Sequence, residues 1–480
     1  MVKSKFNLKK LYSKVFSILI ILLILVITFI IILYARGYQF NFKNFTLTSS
    51  GIIRVNSTPQ NAKIYLKGKY LGTSPLIINS LSPGTYKVSL SLSNYTNWSS
   101  MVTVKTGDIT NVDAFLIPNN AQENPAVTNA NIYKVIYSNS SNYIYVINDI
   151  NNIYKLYYID TASQQGTFQL SYIANLTSLI KFNGKGSINV VISNTLNYAI
   201  IQYNNENYLY DIVSNKMINL YKLTYFNNLS DISIESYYII FEENSMLVSF
   251  NILTGQTYLL STGLPSSSSY YSYEILNYNQ IIFYKYNSIT NETSIFISNL
   301  DGSSRRVISS IKGNVVKIFL NNYSSYIAVS NNLGENYLIQ IKQASMSAPV
   351  KFANGYSLVN FEGESDYVLA VKNNVLYGFY VNDLSEIKIL DNYSRLYGLQ
   401  QYVLGSYIFF QLKNKNNTFS VYQRSIGSKT NHLLTSNSNG TYFISNGGNY
   451  LFFNYPYLKD QYYLYFITLI QNTNILPFSL

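Results

Sequence analysis

Apolar and polar positions divide the chain into three regimes. Residues 15–33 are almost all Ile, Leu, Val and Phe and include no ionisable group. Over 51–117 the pattern changes to short runs that alternate apolar and polar, the period of half-buried strands. Ile52–Val55, Lys63–Leu66, Tyr86–Leu92 and Met101–Val104 read as strands there. Between them Lys67–Gly68, Leu71–Gly72, Pro83–Gly84 and Thr106–Gly107–Asp108 supply turn chemistry. Pro118 opens an apolar-poor linker, 118–131, and from Ile132 to Leu480 short aromatic-rich strands recur. No stretch of that last region carries a helical period long enough for a parallel-sheet crossover. The expected class is mainly β.

The apolar run spans roughly 28 Å as a helix at about 1.5 Å per residue, close to a hydrocarbon core. Lys3, Lys5, Lys9, Lys10 and Lys14 precede it without an acid, whereas only Arg36 and Lys43 follow closely. The positive-inside rule then places 1–14 in the cytoplasm and the bulk of the chain outside the membrane. A cleaved signal peptide is the competing reading. Its apolar region is usually about 7–15 residues and ends in small side chains. Here the run is longer, and Leu33 would occupy the −3 position of a cut after Ala35. Residues 15–34 are therefore expected to be a transmembrane signal anchor, with the cytoplasmic membrane as partner. Tyr34 and Tyr38 fall at its outer interface, and 35–50 form a juxtamembrane linker.

The segment 51–117 is short enough for one small antiparallel β-sandwich. It contains Ser57-Thr58-Pro59-Gln60-Asn61-Ala62-Lys63-Ile64-Tyr65-Leu66-Lys67-Gly68, then Gly72-Thr73-Ser74-Pro75-Leu76, then Leu81-Ser82-Pro83-Gly84-Thr85-Tyr86. In order and spacing these pieces resemble the PEGA domain family. The namesake Pro-Glu-Gly-Ala reads Pro59-Gln60-Asn61-Ala62, and the Gly-Tyr after the third strand reads Asn94-Tyr95. Both departures put Asn, which tolerates the left-handed conformation, in place of Gly. The resemblance implies a surface-exposed, non-catalytic prokaryotic module, often beside a membrane helix. It extends to membrane-anchored bacterial members in which a stretch like Tyr34-Ala35-Arg36-Gly37-Tyr38 joins helix and module. A spacer that holds the next domain off the membrane satisfies the same residues.

Beyond Ile132 a strand ending in Asp or Asn followed by small polar residues recurs. It appears at Tyr158-Ile159-Asp160, Tyr210-Asp211-Ile212, Phe250-Asn251-Ile252-Leu253-Thr254-Gly255 and Ser298-Asn299-Leu300-Asp301-Gly302. Weaker echoes lie at Gln340-Ile341-Lys342, Val381-Asn382-Asp383, Val421-Tyr422-Gln423 and Tyr465-Phe466-Ile467. The spacing, near 44 residues, is the size of a four-stranded propeller blade. The first unit should hold strands at Tyr133–Tyr137, Tyr143–Ile147, Tyr154–Ile159 and Thr167–Leu170. Closing the units into a ring leaves no terminal repeat with a bare apolar face. Residues 132–480 are thus expected to form a β-propeller of about eight blades, with seven as the alternative if one end unit is irregular. A string of β-sandwiches is the competing architecture.

Charge narrows the function. The chain nets +12 with only 12% charged residues. The excess lies at the membrane end: from residue 121 onward 21 bases face 20 acids. Arg305–Arg306 is the only adjacent basic pair there, so a phosphate-tracking surface is missing and nucleic acid is not an expected partner. The absence of Cys removes thiolate, disulfide and zinc-thiolate chemistry. His432 is the single histidine, on an expected outer hairpin of a late blade. No Gly-x-Ser-x-Gly elbow, Walker loop or dinucleotide fingerprint occurs. The densest acid group, Glu362-Gly363-Glu364-Ser365-Asp366, lacks the spacing of an EF-hand loop and reads as a solvated blade loop. Tyrosines such as Tyr208, Tyr210, Tyr462 and Tyr463 fall inside expected strands, and Trp98 reads as module core.

No catalytic, cofactor-binding or metal-ligating residue is therefore assigned. The sequence supports a single-pass, membrane-anchored cell-surface protein that binds or scaffolds an envelope protein or glycan and is not an enzyme. An extracytoplasmic hydrolase of peptide or polysaccharide, with acids around a propeller channel, is the alternative. A purely structural envelope component is a third reading.

Overall fold

The computed structural model describes the helical residues 20–28, strands within 38–49, and residues 50–469 with interruptions. Residues 1–19, 470–480 and several connections, the longest being 220–231 and 263–272, lie outside the described residues. Among the described residues no helix is long and apolar enough to cross a membrane. Only the middle of the expected anchor is described. It is helical, and its apolar side chains from Ile20 to Ile27 are all exposed. A hairpin, Tyr38–Asn41 against Thr46–Ser49, follows within the expected linker.

Two compact units emerge, one of residues 1–92 with 100–114 and one of 93–99 with 115–480. The module has a three-stranded sheet in the order Leu76–Leu81, Gly51–Thr58, Ile109–Phe115. Its four-stranded sheet runs Lys69–Thr73, Lys63–Leu66, Gly84–Ser91, Trp98–Val104. All four expected strands are present. Three more were not anticipated, Lys69–Thr73, Leu76–Leu81 and Ile109–Phe115, each an edge strand of its sheet without a clean alternation. The expected turn Leu71–Gly72 lies inside one of them, where a register shift absorbs the irregularity. Ile53, Val55, Ile64, Val88 and Leu90 are fully buried between the sheets, and Trp98 joins the buried set at 2% exposure. Burying each such side chain is worth about 1.5–3 kcal/mol.

The family-like residues hold this module closed. Ser57 Oγ donates to the Pro59 carbonyl at 2.6 Å and so accepts from Ser74 Oγ. Ala62 N donates to Ser74 Oγ at 3.1 Å, Ser74 N to the Ala62 carbonyl at 2.9 Å, and Asn61 N to the Ser74 carbonyl at 3.0 Å. The Ser57–Ala62 and Gly72–Leu76 pieces are thus one buried polar knot. Asn61 and Asn94, the two replacements for Gly, have φ of 66° and 67°, in the left-handed region as expected.

The large unit is built from consecutive antiparallel meanders. Six four-stranded sheets cover 188–219, 232–262, 273–312, 315–352, 357–391 and 396–438. A further eight-stranded sheet joins the two ends of the unit. It contains a first meander, Ile132–Tyr137, Tyr143–Ile150, Ile153–Asp160 and Ser171–Asn175. It also contains a last one, Tyr442–Ile444, Tyr450–Leu458 and Gln461–Thr468. The fourth strand of that last meander is Glu123–Pro125, from the stretch read as a linker: Glu123 pairs with Ile467 and Pro125 with Tyr465. Ile132 pairs with Tyr462 on the same strand. The expected first-unit strand at Thr167–Leu170 is displaced to Ser171–Asn175, followed by a short helix, Leu176–Ile180, that no periodicity announced.

Each sheet is buried on both faces. Second strands show it best: Tyr143–Ile150, Tyr198–Tyr203, Tyr326–Asn331, Tyr367–Lys372 and Tyr407–Lys413 carry almost unbroken buried runs. Single core clusters bridge the first and second sheets through Leu156 and Ile201, and the fourth and fifth through Ile295 and Val329. Another bridges the first and last through Val146 and Phe452. The two ends of the repeat meet in one hydrogen-bonded sheet and share a core cluster, and the run of consecutive four-stranded meanders is propeller-like.

Repeated hydrogen bonds mark the units. After the third strand the backbone N–H of Ile212, Ile252, Leu300 and Ile341 donates to the carbonyl of Asn197, Tyr237, Asn279 and Ser325 respectively, 2.7–2.9 Å away. Ser193 and Ser445 each exchange two bonds with the tyrosine opening the next strand. Tyr198 N and Tyr450 N donate to the serine Oγ at 3.1 Å, and each serine N donates back to the tyrosine carbonyl at 2.9 Å.

Candidate binding surface

First strands of neighbouring sheets lie beside one another, and their polar side chains join sheet to sheet. Lys134 Nζ, in the first sheet, donates to the Ile188 carbonyl of the second at 2.6 Å. Lys317 Nζ, in the fifth, donates to the Leu358 carbonyl of the sixth at 2.9 Å. Ser233 and Tyr273 hydroxyls meet at 2.8 Å between the third and fourth. Tyr442 donates to the carbonyls of Gly398, 3.1 Å, and Phe409, 2.8 Å, in the seventh. Tyr137 donates to Asn454 Oδ1 at 2.8 Å between the first and eighth. Burial lowers the Lys134 pKa and raises that of Tyr137. These ionisable groups are committed to architecture.

Away from the first strands the best-defined charged cluster lies on the fifth sheet. Glu335 accepts from Lys351 Nζ at 2.6 Å, from the Tyr337 hydroxyl at 2.5 Å and from Asn331 Nδ2 at 3.1 Å. The Lys351 hydrogen bond, then those of Tyr337 and Asn331, hold the Glu335 carboxyl down to about 2. Glu206-Asn207-Tyr208 repeats the Glu-Asn-Tyr spacing on the second sheet. There burial first and the bonded Glu206 second push Tyr208 up to about 12. Period-two geometry puts residues i and i+2 on one face, which is why this spacing pairs them. Tyr356 is likewise pushed up to about 12, by burial and by its 2.9 Å bond to Glu386.

His432 opens the outer strand of the seventh sheet, opposite Gln423, and burial lowers its pKa. That is the outer, late-blade position expected for it. Arg305 lies over the rings of Phe283 and Phe296, 5.4 and 5.0 Å from their centres, and Arg306 donates to the Lys342 carbonyl at 2.6 Å. The acidic stretch Glu362–Asp366 lies outside the described residues. Among the described residues no group of three or more His, Asp or Glu gathers as a metal would require. Four exposed apolar residues sit at turn tips: Val213 and Leu253 between third and fourth strands, Ile289 and Leu333 between second and third. In each turn the opening Asp or Asn Oδ1 accepts the backbone N–H of that apolar residue. Sequence reasoning missed this signal, an Asx residue followed two positions later by an apolar one.

No curated protein matches the chain. Among solved structures it is similar to BamB from Moraxella catarrhalis, at 12% identity and a TM-score of 0.40 over 72% of this chain and 96% of that one. It is also similar to Saccharomyces cerevisiae Sqt1, at 9% and 0.42 over 73% and 98%. For Porphyromonas gingivalis dipeptidyl peptidase 4 the values are 12% and 0.45, over 68% of this chain and 57% of that chain. Residues 50–120 match the PEGA domain model. The chain therefore carries a PEGA domain, followed by a β-propeller-like repeat region.

Proposed function

We propose that the chain is a single-pass, membrane-anchored envelope protein in which the PEGA domain and a closed eight-bladed propeller serve as a non-catalytic platform for protein or glycan. The observation that carries this reading is the fate of two lysines on the first strands. Lys134 and Lys317 spend their ammonium groups on neighbouring carbonyls. A rigid ring whose variable turns carry exposed apolar tips suits recognition, because loops on a stiff scaffold can be tuned without disturbing the core. The apolar helical residues 20–28, exposed throughout, support an anchor centred in 15–34.

The test is retention of envelope components. The full chain in detergent micelles, immobilised and exposed to envelope extract, should hold back one class of macromolecule and leave it chemically intact. Shortening of peptide or polysaccharide in the extract would overturn the non-catalytic reading in favour of the hydrolase. Protease added outside intact cells should remove everything beyond residue 35, and full protection would overturn the orientation.

A further inference from the structure

The outer face of the PEGA domain's three-stranded sheet is apolar at one end and polar at the other. Along Gly51–Thr58 the residues Gly51, Ile53, Val55 and Ser57 are buried, so Ile52, Arg54, Asn56 and Thr58 point away from the core. On the neighbouring strand Val112 and Ala114 are buried, which turns Ile109, Asn111 and Asp113 outward. Ile52 N donates to the Asp108 carbonyl at 3.1 Å, and the Asn56 amide donates to Asp113 at 2.8 Å. Both contacts advance in one direction, so the strands run parallel, with Ile52 beside Ile109 and Arg54 beside Asn111. On the other side Ile77 is the register partner of Arg54. Ile77 and Ile109 are each 57% exposed, and Ile52 is half-buried. Three isoleucines thus lie around the exposed Arg54 in the half that begins at Gly51, and Asn56, Thr58 and Asp113 occupy the other half. The adjoining turn adds exposed Lys105 and Asp108, whose Oδ1 accepts from Ile109 N at 2.8 Å.

The chain leading into this apolar end is short. Tyr38 pairs with Ser49 in the hairpin before the domain, which folds residues 38–49 back on themselves. From Tyr34 to Gly51 the reach is then at most about 27 Å, against roughly 60 Å for the same residues fully extended. We infer that the face formed by Ile52, Ile77 and Ile109 docks on the lipid surface of the membrane that holds the chain. The isoleucines enter the boundary between headgroups and acyl chains, and Arg54 meets anionic headgroups. This inference rests on the membrane-anchored reading proposed above. Apolar side chains with a cation beside them are what interfacial binding requires. A patch this small holds lipid weakly from solution, and a short tether offsets that with an effective concentration on the order of millimolar. Area argues against a second copy as the occupant. Strands of 6, 8 and 7 residues form the face. At roughly 4.8 Å between strands and 3.3 Å per residue it covers about 300 Å². A stable protein interface takes about 800 Å² from each partner. The outer face of the four-stranded sheet, where Lys63 is exposed opposite the buried Ile64, stays in water.

The chain has no cysteine, so one nitroxide can be attached at a chosen position. The full chain is reconstituted, one copy per disc, in nanodiscs of phosphatidylcholine and phosphatidylglycerol. Labels are placed at Asn111→Cys, on the isoleucine face, and at Lys63→Cys, on the other sheet. Collision with oxygen, which concentrates in lipid, is compared with collision with a water-soluble nickel chelate. The Asn111 label should favour oxygen and the Lys63 label the chelate. Ile77→Ser/Ile109→Ser should abolish the difference between the two sites, and Ile77→Leu/Ile109→Leu should keep it. Melting curves that match the parent show that these exposed substitutions leave the fold intact. An Asn111 label as open to the chelate as the Lys63 label would overturn the inference. Shielding that appears only in discs holding two copies would overturn it in favour of a second copy. Failure of the chain to co-elute with the discs would overturn the anchor and this inference with it. Co-elution with a water-exposed Asn111 label would overturn this inference alone.

Discussion

The hydroxyl of Tyr137 donates to Oδ1 of Asn454 at 2.8 Å across 317 residues of chain, from the first meander of the large unit to the last within one eight-stranded sheet. Asn454 is only 7% exposed, so its amide oxygen has little access to water. Tyr137→Phe removes the donor and leaves a buried acceptor, a change that costs about 1–3 kcal/mol. Denaturant titration should show a lower midpoint with an unchanged slope. An unchanged midpoint would mean that this bond adds nothing to the strand pairing and apolar packing that already join the two ends.

Glu335 should make stability sensitive to acid. Its carboxyl sits at about 2 in the folded chain against an ordinary 4.5, and Lys351, its first partner, is shifted upward, so the pair agrees in sign. A depressed carboxyl contributes stability that is present above its unfolded value and disappears as pH falls through the folded one. The contribution should therefore fade between pH 4.5 and 2. Glu335→Gln should melt with less pH dependence across that window, and added salt should shrink the difference because the pair is exposed. Identical pH profiles would refute the assignment.

Asn61 offers a test of why the PEGA signature can depart from Gly. At φ of 66° a β-branched residue is strained by about 1–2 kcal/mol, whereas Gly is at ease. Asn61→Gly should leave the melting temperature nearly unchanged, and Asn61→Val should lower it. If both variants melt alike, the left-handed turn does not limit this domain's stability.

Gly51 is required for a different reason. A Cβ there would overlap the Lys105 carbonyl oxygen and lie 2.6 Å from Val104 Cγ1. Backbone cannot yield as a flexible side-chain tip can, so Gly51→Ala should destabilise by roughly the 1–3 kcal/mol typical of overpacking. Native-state hydrogen exchange should speed up first in Gly51–Thr58 and Ile109–Phe115, the paired strands beside it. Unaltered exchange there would refute the steric argument.

Much of the architecture was written in local pattern. Asp211 and Asn251 each end a third strand and close the following turn with their own side chains, Asp301 does so after Asn299, and this recurrence gave the blade spacing. A stronger signal went unread: seven second strands begin with tyrosine, at Tyr143, Tyr198, Tyr238, Tyr326, Tyr367, Tyr407 and Tyr450. Each opens an apolar run buried on both faces, which alternation rules do not detect. Glu123–Pro125 was illegible for a different reason. Three polar or turn-forming residues have no strand propensity of their own, and only the exposed edge of a strand far along the chain makes them one.

The borrowed strand sets an order of events during synthesis. Glu123–Pro125 leaves the ribosome long before its partner Gln461–Thr468. At about 5–20 residues per second the early strand waits on the order of tens of seconds with its hydrogen-bonding groups unmatched. Six intervening sheets can form from contiguous chain in that interval, but the eighth cannot be completed before the C-terminal segment arrives. Nascent chains halted before residue 461 should remain open to protease at Glu123–Pro125, with protection appearing only once Gln461–Thr468 has emerged. A chain truncated before Gln461–Thr468 cannot complete the eight-stranded sheet that joins the two ends of the repeat.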